Sequence, residues 1–212
     1  MHIRDFIKSV PQLQSTALPG WSAQSKLAPT ERLSMSQLTP QMIHKAKKAA
    51  VLALCYPDQE GQMHLALIER NSYQGVHSAQ ISFPGGRPEQ GDQGLLETAL
   101  RETQEEIGCP SCQVMMIRPL SELYIPPSQF YVHPFFGYTL ETPLFKKDDR
   151  EVAQILELPL KAFLISQITM AEIPIDNLTT LNVPVYEWQG HRIWGATAMM
   201  MSELQVLLKQ VV

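Results

Sequence analysis

Residues 83–108 read FPGGRPEQGDQGLLETALRETQEEIG. The glycine pair Gly85-Gly86 opens this stretch, a polar loop follows, and an acidic amphipathic segment closes it. Spacing and punctuation predict a helix over Leu95–Ile107: Asp92 is placed to cap its start, Gly108 stands just past its end, and Pro110 follows. Three of the acidic residues, Glu102, Glu105 and Glu106, stand at i, i+3 and i+4. On a helix those positions share one face, so three carboxylates are expected to project together.

Such an arrangement does not serve the helix itself. Like charges at i, i+4 cost about 0.2–0.5 kcal/mol per pair. Glu105 and Glu106 also lie in the last turn, where the helix dipole disfavours negative charge. Arg101 can pair with Glu105 one turn on, but one guanidinium does not neutralise three carboxylates. A divalent cation does: clustered hard oxygens suit Mg²⁺ or Mn²⁺, which complete their shell with water and substrate phosphates. The alternative is a solvated acidic face. Gly85 and Gly86 favour the metal reading, because they permit close backbone approach and bring N–H donors beside the carboxylates. Backbone donors and a cation together suit a diphosphate.

The run Arg101-Glu102-Thr103-Gln104-Glu105-Glu106-Ile107-Gly108-Cys109, preceded by Gly86, resembles the Nudix box. The interval from Gly86 to Arg101 is one residue longer than in the general box. Asp92, rather than a glutamate, therefore takes the first acidic position, and Thr103 stands where a small or aliphatic residue is usual. The longer interval is similar to that of the coenzyme A pyrophosphatase branch. So are Arg70-Asn71-Ser72, His77-Ser78-Ala79-Gln80-Ile81-Ser82-Phe83-Pro84-Gly85-Gly86, Tyr124-Ile125-Pro126-Pro127-Ser128 and Ile193-Trp194-Gly195-Ala196-Thr197-Ala198. Gly75 stands where that branch has an arginine, and Ala79 where it has a glycine. The resemblance spans about residues 45–210.

This resemblance implies an α/β fold, an α/β/α sandwich on a mixed sheet. It implies metal-dependent hydrolysis of a nucleoside diphosphate linkage. The substrate it points to is coenzyme A or an acyl-coenzyme A, cleaved to 3′-phosphoadenosine 5′-phosphate and (acyl-)4′-phosphopantetheine. The implied catalytic residues are Arg101, Glu102, Glu105 and Glu106, with Mg²⁺ or Mn²⁺ on the three glutamates. Gly85, Gly86, Arg70 and His77 are the expected substrate contacts, and Glu151 is a candidate extra ligand. The base that orients the attacking water is left open between that carboxylate set and a loop. Two alternatives stand beside this reading. One is a Nudix pyrophosphatase acting on another nucleotide, such as ADP-ribose or a dinucleotide. The other is a non-catalytic nucleotide sensor, which would be expected to lose box carboxylates that this chain keeps.

Outward from this stretch, residues 1–38 read as a polar, irregular extension in which Phe6, Ile7 and Val10 form one face of a short helix. It is expected to pack on the main domain, residues 39–212, or on a neighbouring subunit of a homodimer. Thr39-Pro40 starts a helix through Lys48. Ala49–Tyr56 and Gln62–Glu69 read as a strand hairpin. Val114–Leu120, Tyr131–Leu140 and Val152–Leu156 read as further strands, and Pro159–Ile165 as a short helix. Val183–Trp188 with His191–Trp194 forms a late hairpin, and Ala196–Val211 an amphipathic closing helix.

Composition sets the bounds. The chain has 212 residues, 44 % of them hydrophobic and 18 % charged, with a net charge of -4. That suits a globular domain and argues against nucleic acid as a partner. Three cysteines make no disulfide framework. The apolar run Ala49–Tyr56 is far below the roughly 20 residues a bilayer span needs, and no signal-peptide core is seen. A cytoplasmic enzyme with a small nucleotide as its partner is expected, with no membrane association. Other residues carry bland readings: Cys109 and Cys112 lack further zinc ligands, His133 is a structural histidine, Trp188 and Trp194 pack the core, and Met199–Met201 fill it.

Overall fold

The computed structural model describes residues 1–29, 37–71, 80–174 and 179–211. The apolar run Ala49–Tyr56 lies within strand β1 (Lys47–Pro57), which pairs with β2 (Met63–Arg70) as an antiparallel hairpin. Two short strands follow, β3 (Ile81–Ser82) and β4 (Gly85–Gly86), then β5 (Met115–Pro119), β6 (Leu123–Ile125), β7 (Phe130–Tyr138) and β8 (Val152–Pro159). The order β3-β2-β1-β7-β5 forms the spine of one sheet, with β4 on β1, β6 on β7 and β8 on β2. Among the described strands only β1 and β7 run parallel, from Lys47 opposite Phe130 to Cys55 opposite Tyr138. The sheet is therefore mixed, as the sequence leads one to expect.

Strand β1 is apolar at successive positions because both faces are covered. Ala50, Leu52, Leu54 and Tyr56 face helix α4 (Leu95–Ile107) through Ala99 and Ile107. Ala49, Ala53 and Cys55 face the opposite layer. That layer holds α1 (Ile3–Ser15), α5 (Leu160–Ile165) and α6 (Gly195–Lys209). The described residues also form two small helices, α2 (Trp21–Gln24) and α3 (Pro40–Lys45), and a three-stranded sheet of β9 (Ile168–Pro174), β10 (Thr180–Trp188) and β11 (His191–Trp194). No helix among the described residues is long and apolar enough to cross a membrane.

Several expectations need correction. The first residues are a regular helix, and its buried positions are Phe6, Ser9 and Leu13, whereas Ile7 is exposed. Phe6 and Leu13 join the main core, and burial of each contributes about 1.5–3 kcal/mol. Thr39 caps α3 by accepting the Met42 N–H, but that helix ends at Lys45. Lys47 instead donates its N–H to Gln129 O at 2.9 Å and enters the sheet. Helix α6 is buried on nearly every side, including Met199–Met201 and Glu203. The Glu203 carboxylate is satisfied there by donors from Gly20, Gln24 and Ser121. Strand β9 escapes the pattern because Ile168, Thr169 and Met170 are all exposed.

Candidate active site

Strands β1 and β2 change partners along their length, and this opens the site. Leu54–Pro57 pair with β2, whereas Ala50 and Val51 pair with Gly86 and Gly85 of β4. The other end of β2 pairs with β3. The glycine turn thus fills the wedge between the parting strands, fastened by Leu52 N–H to Pro84 O at 2.9 Å. Gly85 has φ 150, and a Cβ there would meet Ala50 O and stand 2.6 Å from Val51 Cα. At Gly86 the constraint comes from the helix: a Cβ would stand 2.5 Å from the Glu102 carboxyl carbon.

Helix α4 ends at Gly108 in the left-handed region, φ 76, as expected of that glycine. Its last carbonyls are taken by a loop: Glu106 O by Asp148 N–H and Ile107 O by Lys146 N–H. Those bonds carry Glu151 to the mouth of the site. The start of α4 differs from expectation, because Gly94 precedes it and no side chain caps it there. Asp92 instead accepts the Thr98 hydroxyl at 2.8 Å and two donors of Arg101, at 3.0 and 3.1 Å.

Arg101 reaches across the helix and the loop together. It also donates to Glu105 at 2.9 Å and to Arg87 O at 3.0 Å, and lies 3.1 Å from Glu102 Oε1. Arg101 therefore ties the loop to the helix. Glu106 is 2 % exposed and sits beneath the glycine turn. It accepts Gly85 N–H at 2.8 Å and Arg70 at 2.9 Å. Arg70, expected to meet substrate, is committed to Glu106 and, at 3.4 Å, to Glu151. His77 and Gly75 lie outside the described residues.

The expected triad of carboxylates is not drawn together. Glu102 and Glu106, one turn apart, lie along the glycine turn, whereas Glu105 is rotated toward solvent, 57 % exposed, and pairs with Arg101. Among the described residues no group of three or more His, Cys, Asp or Glu side chains is close enough to hold a metal ion. The donor chemistry nevertheless fits a hard divalent cation. Two guanidinium groups, Arg70 and Arg101, serve five carboxylates: Asp92, Glu102, Glu105, Glu106 and Glu151. Burial pushes the Glu106 carboxyl up to about 7, against the pull of Arg70 and Gly85 N–H, and the charges of Glu102 and Glu151 add to the rise. Burial raises Glu102 as well, against the pull of Arg101. Added positive charge would relieve both.

Three further features border this region. His133 lies on β7 opposite Ala50, which itself pairs with Gly86, so the three form one row across the sheet. Its Nδ1 is 2.9 Å from Glu122, which also accepts the Tyr131 hydroxyl. Its buried Nε2 has no partner, and neither has the buried Ser82 hydroxyl of β3. The histidine is thus satisfied at one nitrogen only. Cys109 is buried in the core, where desolvation pushes its thiol up to about 11, and Cys112 is a free exposed thiol.

Comparison with known proteins supplies the family. The family model of the NUDIX domain matches residues 46–179. An uncharacterized Nudix hydrolase NudL of Pectobacterium atrosepticum is 32 % identical over 174 residues, covering 79 % of this chain and 87 % of that protein. A second NudL, of Yersinia pestis, is 33 % identical over 163 residues, covering 74 % and 78 %. A solved structure of a Nudix hydrolase from M. Smegmatis, RenU, shares the fold with a TM-score of 0.52 at 16 % identity, covering 79 % of this chain and 88 % of that one. With its glycine turn set against Glu102 and Glu106, the chain belongs to the Nudix family and is a hydrolase of the pyrophosphatase type.

Proposed function

We propose that the chain hydrolyses coenzyme A or an acyl-coenzyme A to 3′-phosphoadenosine 5′-phosphate and (acyl-)4′-phosphopantetheine. Glu106 carries the chemistry of this reading. A carboxylate 2 % exposed, raised to about 7 and packed beneath a glycine turn is a stability cost. Chemistry at that site is the reason to keep it. The substrate choice rests on the resemblance of residues 77–86 to the coenzyme A branch and on the long interval from Gly86 to Arg101, in which Asp92 anchors Arg101.

Glu102 and Glu106, with Glu151 beside them, would hold a divalent cation, and Glu105 would join them only by turning away from Arg101. Once bound, that cation neutralises phosphate charge and lowers the pKa of a coordinated water. Gly85 and Gly86 let the diphosphate approach the backbone. Arg70 holds Glu106, and Arg101 holds the loop against the helix, so both act by positioning. Glu102 has one oxygen 3.1 Å from Arg101 and lies against the turn. Glu102 would take the proton of the attacking water as the bridging P–O bond breaks.

The test is a substrate panel of coenzyme A, acyl-coenzyme A, ADP-ribose, NADH and diadenosine polyphosphates with Mg²⁺ or Mn²⁺, products identified by mass. Coenzyme A should yield the two named phosphates at the highest kcat/KM. Rapid cleavage of ADP-ribose with coenzyme A untouched would transfer the assignment to another nucleotide.

A further inference from the structure

Two cations, Lys47 and Arg87, meet at the end of the sheet beside the glycine turn, and neither pairs with a carboxylate among the described residues. Lys47 and Lys48 open β1. Arg87 directly follows Gly86, and its carbonyl is held by Arg101 at 3.0 Å. The Arg87 guanidinium lies over the Phe130 ring, 4.9 Å from its centroid, and Lys47 Nζ is 6.0 Å from the same centroid. Lys47 and Phe130 are register partners in the parallel pairing, so the ring and the ammonium share one face. The next acid along the loop, Glu89, turns its backbone to Asp92 and makes no ion pair with Arg87. In a chain of net charge -4, this corner is an uncompensated positive patch.

The geometry suits recognition of an oxyanion. Arg87 is exposed, and among the described residues no hydrogen bond engages its guanidinium, so its N–H donors can present to solvent the fork that matches phosphate. Lys47 adds a mobile ammonium to the same ring. The anchored backbone at Arg87 reduces the ordering cost of binding. The reach also fits. A ribose puts its 3′-oxygen one sugar away from the diphosphate, and one arginine side chain separates this guanidinium from the backbone beside Gly86. Arg70 is not available for the purpose, because Glu106 and Glu151 hold it.

We infer that Arg87 and Lys47, converging on Phe130, form a subsite for a second phosphate that the substrate carries apart from the scissile diphosphate. The inference rests on the proposed reading, since coenzyme A has such a group in its 3′-phosphate. Binding is measured by calorimetry with adenosine 3′,5′-bisphosphate and with AMP, on the full chain and on Arg87→Met, Arg87→Lys and Lys47→Met. The wild type should prefer the bisphosphate by about tenfold or more. Arg87→Met should lose most of that preference, and Arg87→Lys and Lys47→Met should retain an intermediate part. In turnover, the kcat/KM ratio of coenzyme A to dephospho-coenzyme A should fall with it, through KM. Equal binding of the two ligands by the wild type, or a preference unchanged in both methionine variants, would overturn the subsite. Failure to cleave coenzyme A at all would instead sink the substrate assignment, and the bisphosphate comparison would still decide the subsite.

Discussion

The Glu102 carboxyl group occupies the space that a side chain on Gly86 would need: a Cβ there would stand 2.5 Å from the Glu102 carboxyl carbon. The neighbouring glycine is confined differently, by the backbone of Ala50 and Val51 and by a φ of 150. The two glycines should therefore fail in different ways. Gly86→Ala displaces the far end of a flexible side chain, so the fold survives while Glu102 leaves its place. Turnover should drop by about a hundredfold, the cost of misplacing a reacting group by an ångström, with a melting temperature near wild type. Gly85→Ala meets backbone that cannot shift and should lose several kcal/mol, about 2–4, of stability. Kinetics and thermal melts of the two variants side by side check this. Normal turnover in Gly86→Ala would detach Glu102 from the reaction.

Stability of the metal-free protein should fall as pH rises. Unfolded Glu106 releases its proton near the ordinary 4.5, and the folded residue keeps it to about 7 because it is buried. Between those values the folded state binds more protons, so rising pH favours unfolding. The contribution is on the order of 3 kcal/mol, complete above the upper value. Glu106→Gln should flatten this slope and melt no lower than wild type at pH 8. Mg²⁺ should raise the wild-type melting temperature more at pH 8 than at pH 5. Parallel slopes in wild type and variant would show that Glu106 is ordinary in the folded state.

Turnover should need a divalent ion and the buried glutamate together. EDTA should abolish activity, and Mg²⁺ or Mn²⁺ should restore it. Glu106→Gln should lower kcat by about a hundredfold or more even at saturating metal. Glu105→Gln should cost less, because Glu105 is 57 % exposed and its partner among the described residues is Arg101. Equal losses in the two variants would mean that the turned-out Glu105 rotates inward when metal binds.

What could be read in advance follows from which interactions are local. Helix α4 was legible from Leu95 to Ile107 because its period and its Gly108 stop all lie within one segment. The i, i+3, i+4 spacing put Glu102, Glu105 and Glu106 on one face, but the structure sets only Glu102 and Glu106 along the glycine turn. The partner of Glu106 was not legible, since Arg70 reaches it from another strand, 36 positions away. Nor was the split between Glu105 and Glu106. Adjacent helix positions differ by about a third of a turn, so one falls under the sheet and the other at its rim. Helix α1 was misread at Ile7 because Phe6, Ser9 and Leu13 define its buried face, and a serine does not announce a core position. Serine 9 fits there by donating its hydroxyl to Phe6 O at 2.7 Å.

The pairing of Arg70 with Glu106 should separate a positioning role from a substrate contact. A substrate-binding arginine, once removed, raises KM and leaves stability alone. Here Arg70→Met strips a carboxylate that is 2 % exposed of the one cation that pairs with it among the described residues. Breaking a buried pair costs about 3–5 kcal/mol. Arg70 is itself 24 % exposed, and solvent screens part of that, so about 1–3 kcal/mol is expected at pH 8. At pH 5 the loss should shrink, because Glu106 is then protonated. Arg70→Met combined with Glu106→Gln should recover most of the stability, as the orphaned charge is gone and the amide oxygen still accepts Gly85 N–H. The double-mutant cycle at the two pH values isolates the coupling between the residues. In turnover Arg70→Met should depress kcat, through a misplaced Glu106, with KM for coenzyme A changed by less than about threefold. A large KM rise with unchanged stability would return Arg70 to the substrate side of the site.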